Sequence, residues 1–224
     1  QRSLVGSEMC IRDSLSCIFI EAENGNIKLT ANDMEIGIES YVEGTVIEEG
    51  KVAIEAKLLS DIVRKLPDSE IHMETNEDFK TTIKCEKSLF TIAGKSGEDF
   101  SSLPVVEKSK FITISQFTLR EIINQTIFSI SDSEYNNVMT GELFEVSNNR
   151  LRVVAIDGHR IAIRNVELKN ESEDVKVIVP GKALSYISKI VSGGVDDDVN
   201  IYFADNNISV SYTHLRAHET TLHL

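Results

Sequence analysis

The sequence has no tryptophan, and aromatic residues make up only 6% of its 224 positions. Platforms that stack single-stranded bases are built from aromatic rings, so this composition argues against them. Cysteine is equally scarce. Cys10, Cys17 and Cys85 are too few and too scattered for a disulfide framework or a zinc site, and they fit the reduced thiols of a cytoplasmic protein. No apolar run approaches the ~20 residues that cross a bilayer, so no membrane partner is expected. Residues Gln1 to Ser14 lack the charged, apolar and small-residue order of a secretory leader. No Gly-rich phosphate loop follows a strand, no serine sits in a Gly-x-Ser-x-Gly setting, and no cysteine has an evident catalytic partner. His214 and His218 are four apart, but no glutamate or third ligand accompanies them. Neither a metal nor a cofactor is expected. Positive charge is also in deficit, with a formal net charge of −13. That argues against a protein that wraps nucleic acid with its whole surface.

What is present is enough apolar material, 41% of the chain, to bury a core in one large domain or two ordinary ones. Self-comparison favours two. Ile27–Asp33 aligns with Leu151–Asp157 at an offset of 124 residues, with Ala31/Ala155 and Asp33/Asp157 identical. Phe19-Ile20-Glu21 falls on Leu143-Phe144-Glu145 at the same offset. Beyond the corner the offset reads as 125, pairing Ile36 with Ile161 and Ile38 with Ile163, which places one inserted residue within Gly158-His159-Arg160. Val52-Ala53-Ile54 then falls on Val177-Ile178-Val179, and Lys57, Leu59, Ile62 and Arg64 fall on Lys182, Leu184, Ile187 and Lys189.

The pattern predicts an α+β fold. In the second copy Ser115 caps a helix through about Ser129, with Leu119, Ile122, Ile123 and Ile127 on one face. Strands follow near Gly141–Val146, Leu151–Ala155, Arg160–Val166 and Val175–Val179. A helix over Lys182–Val191 is ended by Gly193-Gly194, and strands over Val199–Phe203 and from Ile208 complete the copy. The first copy has its helix at Lys57–Leu66, stopped by Pro67, and its last strands at Glu70–Thr75, Thr81–Cys85 and Leu89–Gly94. Lys95–Lys110 reads as a linker. Both ends depart from the repeat. The first copy's opening helix would fall before residue 1, and the counterpart of Leu89–Gly94 should lie near residues 214–221, where the strand alternation breaks. Residues 1–14 and 211–224 are therefore expected to be foreign tails, disordered or misplaced. The domains are expected over 15–108, lacking its first strand and helix, and 109–210, lacking its last strands.

Two features carry chemistry. The first is the corner Ile156-Asp157-Gly158-His159-Arg160-Ile161, a turn between two strands. Asp157 and His159 could form a base and its orienting acid in a hydrolase, although Asp157 as a turn residue and His159 on the surface is the plainer reading. The first copy keeps the aspartate (Asn32-Asp33-Met34-Glu35) without Gly, His or Arg. The second feature is charge segregation. The helices carry Lys57, Arg64, Lys65, Arg120, Lys182 and Lys189 against Asp61 and Glu121, a net positive set in an acidic chain. Two of these basic positions recur in register between the copies, which suits non-specific phosphate contact. A structural repeat with no site is the third reading.

Several stretches resemble the bacterial sliding clamp, the beta subunit of DNA polymerase III. They are Ile27–Ile38, Ile62–Pro67, Glu98–Pro104, Ala155–Ala162 (Ala-Ile-Asp-Gly-His-Arg-Ile-Ala) and Val177–Lys182 (Val-Ile-Val-Pro-Gly-Lys), and the similarity covers nearly all of residues 15–210. It implies tandem DNA-clamp-type domains, with helices on one face of antiparallel sheets and the third domain absent. It also implies a non-catalytic processivity factor that closes as a homodimer ring around duplex DNA, topologically and without sequence preference. The basic helix residues would face DNA, Arg64 matching a family contact position. Ser133, Asn137 and Val138 depart from the family's DNA-facing residues. Met139, Ile156, Gly158, His159, Arg160 and Ile161 match one wall of the pocket that takes short peptide motifs from the polymerase III catalytic subunit, the clamp loader and repair proteins. Ile156 stands where a hydroxylated residue is common, and the other wall would come from segments beyond Val210.

Overall fold

The computed structural model describes residues 15–33, 35–100, 103, 108–131, 138–191, 193–204, 207–214 and 218–223, with residues 99, 213, 214 and 218–223 described by backbone only. The chain divides into two compact units, Gln1–Leu103 and Pro104–Leu224.

In the first unit, strands β1 (Cys17–Glu23), β2 (Asn26–Asn32), β3 (Gly37–Val42) and β4 (Gly50–Glu55) precede helix α1 (Ala56–Val63). Strands β5 (His72–Thr75), β6 (Lys80–Cys85) and β7 (Ser88–Ser96) follow it. They hydrogen-bond in the order β5-β6-β7-β4-β1-β2-β3, antiparallel throughout. Alternation decides which side chains face in. On β6, Thr81, Ile83 and Cys85 are buried between exposed or half-buried neighbours. Ile83 joins Ile20, Val52, Ile54 and Ile92 in a core with Leu59 and Ile62 from α1, and Leu66 and Phe90 pack against it. Each buried aliphatic there contributes about 1.5–3 kcal/mol. The helix ends at Val63, three residues short of the predicted end. Lys65 N–H donates to Ile62 O at 2.9 Å and Leu66 N–H to Val63 O at 3.2 Å, a tighter turn imposed by the approaching Pro67, which disfavours α geometry at the residue before it. The start of the expected linker belongs to this unit. Lys95 and Ser96 complete β7, Phe100 stacks on Phe19 with ring centroids 4.9 Å apart, and Leu103 packs against Gly37.

In the second unit, β8 (Phe111–Ser115) leads into α2 (Gln116–Thr126) and a 3-10 turn (Ile127–Ser129). Strands β9 (Gly141–Ser147), β10 (Arg150–Ile156), β11 (Ile161–Glu167) and β12 (Val175–Pro180) come next, then α3 (Gly181–Ile190), β13 (Asp198–Phe203), β14 (Ile208–His214) and β15 (His218–His223). The order β11-β10-β9-β12 in one sheet matches β3-β2-β1-β4, and β13-β14-β15 matches β5-β6-β7. The tandem arrangement read from the sequence is thus present in the strand order. The Ser115 hydroxyl caps α2 by accepting from Thr118 N–H at 3.2 Å, and Leu119, Ile122 and Ile123 are buried as the spacing predicts. The turn between β9 and β10 places Asn148 and Asn149 at φ 49° and 59°, the left-handed pair that a tight hairpin requires.

Three expectations are corrected, and strand pairing continues past Val210. Strand β8 precedes α2, where none was outlined. Helix α3 stops before the glycine pair, because buried Val191 turns extended at φ −67° and ψ 124°, although Gly193 does adopt φ +80°. The chain beyond Val210 still carries strand pairing. β14 runs through His214 and pairs with β15 from Ser209↔His223 to His214↔His218, since ladder bonds are made by main-chain groups and need no side-chain alternation. Finally, no residue is inserted at the corner. Asn32 pairs with Gly37 and Ile156 with Ile161, so both corners hold four residues. Phe19 faces Ala53 in the first sheet, whereas Leu143 faces Ile178 in the second. The offset therefore changes between β3 and β4, inside the acidic loop before β12. The side chains of the corner obscured this, because an isoleucine occurs on either side of the true register.

Candidate functional site

The corner Asp157–Arg160 is built around one carboxylate. Asp157 Oδ1 accepts from His159 N–H at 2.9 Å and Arg160 N–H at 3.0 Å, while Oδ2 accepts from Arg160 Nε at 2.6 Å. Asp157 N–H closes the turn on Arg160 O at 3.3 Å. The backbone donor of His159, followed by those of Arg160, holds the Asp157 carboxyl below its ordinary range. Gly158 supplies φ +89°, a conformation an L side chain would strain.

The first copy repeats this frame. Asp33 Oδ1 accepts from Glu35 N–H at 3.1 Å and Ile36 N–H at 2.8 Å, and Asp33 N–H donates to Ile36 O at 3.1 Å. With equal corner lengths, Arg160 stands at the position of Ile36. Ile36 is buried, whereas Arg160 projects outward and its guanidinium lies 5.9 Å from the centre of the Phe128 ring.

These contacts leave the hydrolase reading without its geometry. Both Asp157 oxygens are committed to the turn and to Arg160, and the carboxylate meets the His159 backbone. Among the described residues no bond joins it to the imidazole.

Around the corner the structure gathers an apolar surface. Ile156 and Ile161 form a cross-strand pair, 40% and 57% exposed. Val154 pairs with both Ile163 and Leu143, and Leu143 with Ile178, extending an apolar row across the same sheet. The β9–β10 register sets Ile156 level with Gly141, so Met139, two residues earlier, lies at the same end of the sheet. Met139 is half-buried, and its carbonyl accepts from Ser131 N–H at 2.8 Å. Phe128, 58% exposed in the 3-10 turn, was missed by the sequence reading. The available signal was an aromatic residue off the apolar face of α2, one position before buried Ser129. Among the described residues no group of His, Cys, Asp and Glu is placed to hold a metal, and no helix is long and apolar enough to cross a membrane. The side chains of His214 and His218 lie outside the description.

The helix cations occupy exposed positions. In the first unit Lys57 opens α1, and Arg64 and Lys65 follow its last turn. In the second, Lys182 and Lys189 lie on α3 and Arg120 on α2. Lys189 Nζ stands 5.8 Å from the Tyr186 ring centre, and the Arg120 guanidinium lies against Gly193. Among the described residues Lys57, Arg64, Lys65, Arg120 and Lys189 make no ion pair with an acid. Glu121, the acid beside Arg120, accepts from Gln125 at 2.9 Å instead. Several sheet and loop cations are paired with acids, whereas Lys80, Lys84, Lys87 and Arg164 make no ion pair among the described residues. Lys28 and Lys51 share Glu21 at 2.9 and 2.6 Å, and Arg150, Arg152, Lys176, Lys110 and Lys169 each meet a carboxylate. Ser133 and Asn137 lie outside the described residues, and Val138 is exposed.

Residues 7–104 match the N-terminal domain of the DNA polymerase III beta subunit and residues 113–222 match its central domain. The chain belongs to the bacterial sliding clamp family. The beta sliding clamp of Staphylococcus epidermidis is 39% identical over 202 residues, covering 87% of this chain and 53% of that protein. That of Staphylococcus aureus is 36% identical over the same length. A solved putative DNA polymerase III beta subunit from Eubacterium rectale superposes with a TM-score of 0.88 at 52% identity, covering 93% of this chain and 56% of the other. The Bacillus subtilis sliding clamp superposes with a TM-score of 0.86 at 27% identity, covering 98% and 62%. The chain thus spans about half the length of the curated sliding clamps it matches.

Proposed function

We propose that this chain supplies two domains, over 15–108 and 109–210, of a DNA polymerase processivity factor of the bacterial cytoplasm. Its helices face duplex DNA through Lys57, Arg64, Lys65, Arg120, Lys182 and Lys189. The full-length protein closes as a homodimer ring that holds the duplex topologically and reads no sequence. The corner residues Ile156, Gly158, His159, Arg160 and Ile161, with Met139, form one wall of a pocket for short apolar peptide motifs. The polymerase III catalytic subunit, the clamp loader and repair proteins present such motifs. The protein acts as a non-catalytic tether.

The observation that carries this reading is the set of exposed helix cations: Lys57, Arg64, Lys65, Arg120 and Lys189 meet no acid among the described residues, and a phosphate backbone provides the external anion they can take. The pocket reading rests on an exposed apolar pair beside a rigid corner, with a guanidinium held over an aromatic ring. A peptide anchors on such features through its apolar side chains.

The test uses a protein of the relatives' full length and a labelled polymerase-derived peptide. Saturable binding that weakens at least roughly tenfold in His159→Ala and Arg160→Ala supports the pocket. Binding indifferent to both substitutions, or none, refutes it.

A further inference from the structure

Glu142 is the one carboxylate buried among the described residues, with 0% of its surface exposed. Apart from Glu142, the buried side chains described on β9, β10, β12, α2 and α3 include no ionisable acid or base, and Phe144, Ala155, Val179, Ile122 and Ala183 are among them. No charged group faces Glu142 among the described residues. Its Oε1 has no hydrogen-bond partner, and its Oε2 lies 2.9 Å from Thr126 Oγ1.

Thr126 Oγ1 faces two acceptors, Glu142 Oε2 and a backbone carbonyl, with one proton to give. That carbonyl is Ile122 O, one turn earlier, at 2.7 Å. A proton given to Ile122 O leaves Thr126 Oγ1 as an acceptor. The contact with Glu142 is then satisfied only when Glu142 brings a proton of its own. A carboxylate at this position would leave a buried charge with no cation and, at best, one shared donor. Burial also pushes the Glu142 carboxyl up to about 7.

The same bond closes a loop. Thr126 ends α2, and the chain from there carries Phe128, the ring beneath the Arg160 guanidinium. It continues through Ser131, whose N–H holds Met139 O, and re-enters the sheet at Gly141 and Glu142. We propose that Glu142 is a positioning residue: as a neutral acid it latches Thr126 and so fixes the segments 126–131 and 138–142, which carry Phe128 and Met139. Loss of its proton loosens that side of the corner. The consequence for peptide binding rests on the pocket reading above, whereas the latch does not.

The deciding experiment follows the Glu142 side-chain carboxyl carbon and the Phe128 backbone amide by NMR in the present chain, between about pH 5 and about pH 8.5. The carboxyl is expected to titrate near 7, with the Phe128 amide moving on the same curve. In Glu142→Gln, which keeps a donor for Thr126 Oγ1, the Phe128 amide should stay still over that range. In Thr126→Val the carboxyl midpoint should fall, because the neutral acid loses the acceptor that holds its proton. A carboxyl that titrates in the ordinary glutamate range overturns the proposal, as does a Phe128 amide that moves equally in Glu142→Gln. In the full-length protein, peptide affinity should fall by roughly tenfold per pH unit above the midpoint and stay flat in Glu142→Gln. A Phe128 amide that titrates while affinity stays flat breaks the link to binding. If no peptide binds at any pH the pocket reading falls, and the NMR titration still decides the latch.

Discussion

Asp157 holds Arg160 twice, with Oδ1 accepting the backbone N–H at 3.0 Å and Oδ2 accepting Nε at 2.6 Å. One carboxylate therefore fixes both the turn and the direction of the guanidinium. Asp33 accepts from the Glu35 and Ile36 N–H groups of its own turn, where no arginine stands at the fourth position. The two aspartates should separate under substitution. Asp33→Ala is expected to lower the melting temperature by a few degrees, about 1 kcal/mol of turn bonding, and to leave peptide affinity in the full-length protein within about twofold. Asp157→Ala should weaken the peptide by roughly tenfold or more. Isothermal titration of both variants checks the pair.

Asp157 also gives a pH signature with a definite sign. Its carboxyl is lowered on folding, chiefly by the His159 and Arg160 donors. A lowered carboxyl stabilises the fold above its unfolded value and loses that contribution as pH falls through the folded value. Melting temperatures from neutral to acid pH should therefore fall less steeply in Asp157→Asn than in the parent protein.

Phe128 is more than half exposed, so Phe128→Ala should cost little stability, within about 1 kcal/mol. It removes the face over which Arg160 lies, and a faster peptide off-rate, by roughly tenfold, is expected in surface-binding kinetics.

The exposed helix cations predict a contrast in DNA retention by a protein of the relatives' full length. Arg64→Glu combined with Lys189→Glu should shorten retention on circular duplex DNA, with the largest effect at low salt. Arg150→Glu, which removes a cation paired with Glu167 on the sheet, should leave retention unchanged. Equal losses in both proteins would refute a DNA-facing role for the helices.

The β9–β10 turn offers a stability test apart from any partner. Asn149, at φ 59°, should tolerate glycine, while Asn149→Ala should cost about 1 kcal/mol, measured by denaturant unfolding.

Much of this was legible in the sequence, for reasons that can be named. Leu119, Ile122 and Ile123 recur at the helical period and are buried, and Ser115 caps where a hydroxyl residue precedes such a stripe. Asp157 is followed by glycine, so its role as a turn former was readable. The true register of the corner was not, because Ile36, Ile38, Ile161 and Ile163 allow two alignments and only the strand pairing separates them. Phe128 escaped because exposure at the end of a helix depends on how the following 3-10 turn rotates it. The Glu142 latch was hidden for another reason. A glutamate reads as solvent-facing by residue type, although Glu142 shares the strand face of Phe144 and Val146, which are buried with it.

The equal length of the two corners has a consequence for how new binding sites arise. The corner that presents a histidine and an arginine differs from its counterpart in neither chain length nor turn bonding. The aspartate keeps the main chain in place while the next three residues vary, so this position behaves as a socket. A duplicated domain with such a socket can acquire a recognition surface by point substitution in one copy while the other preserves the original architecture.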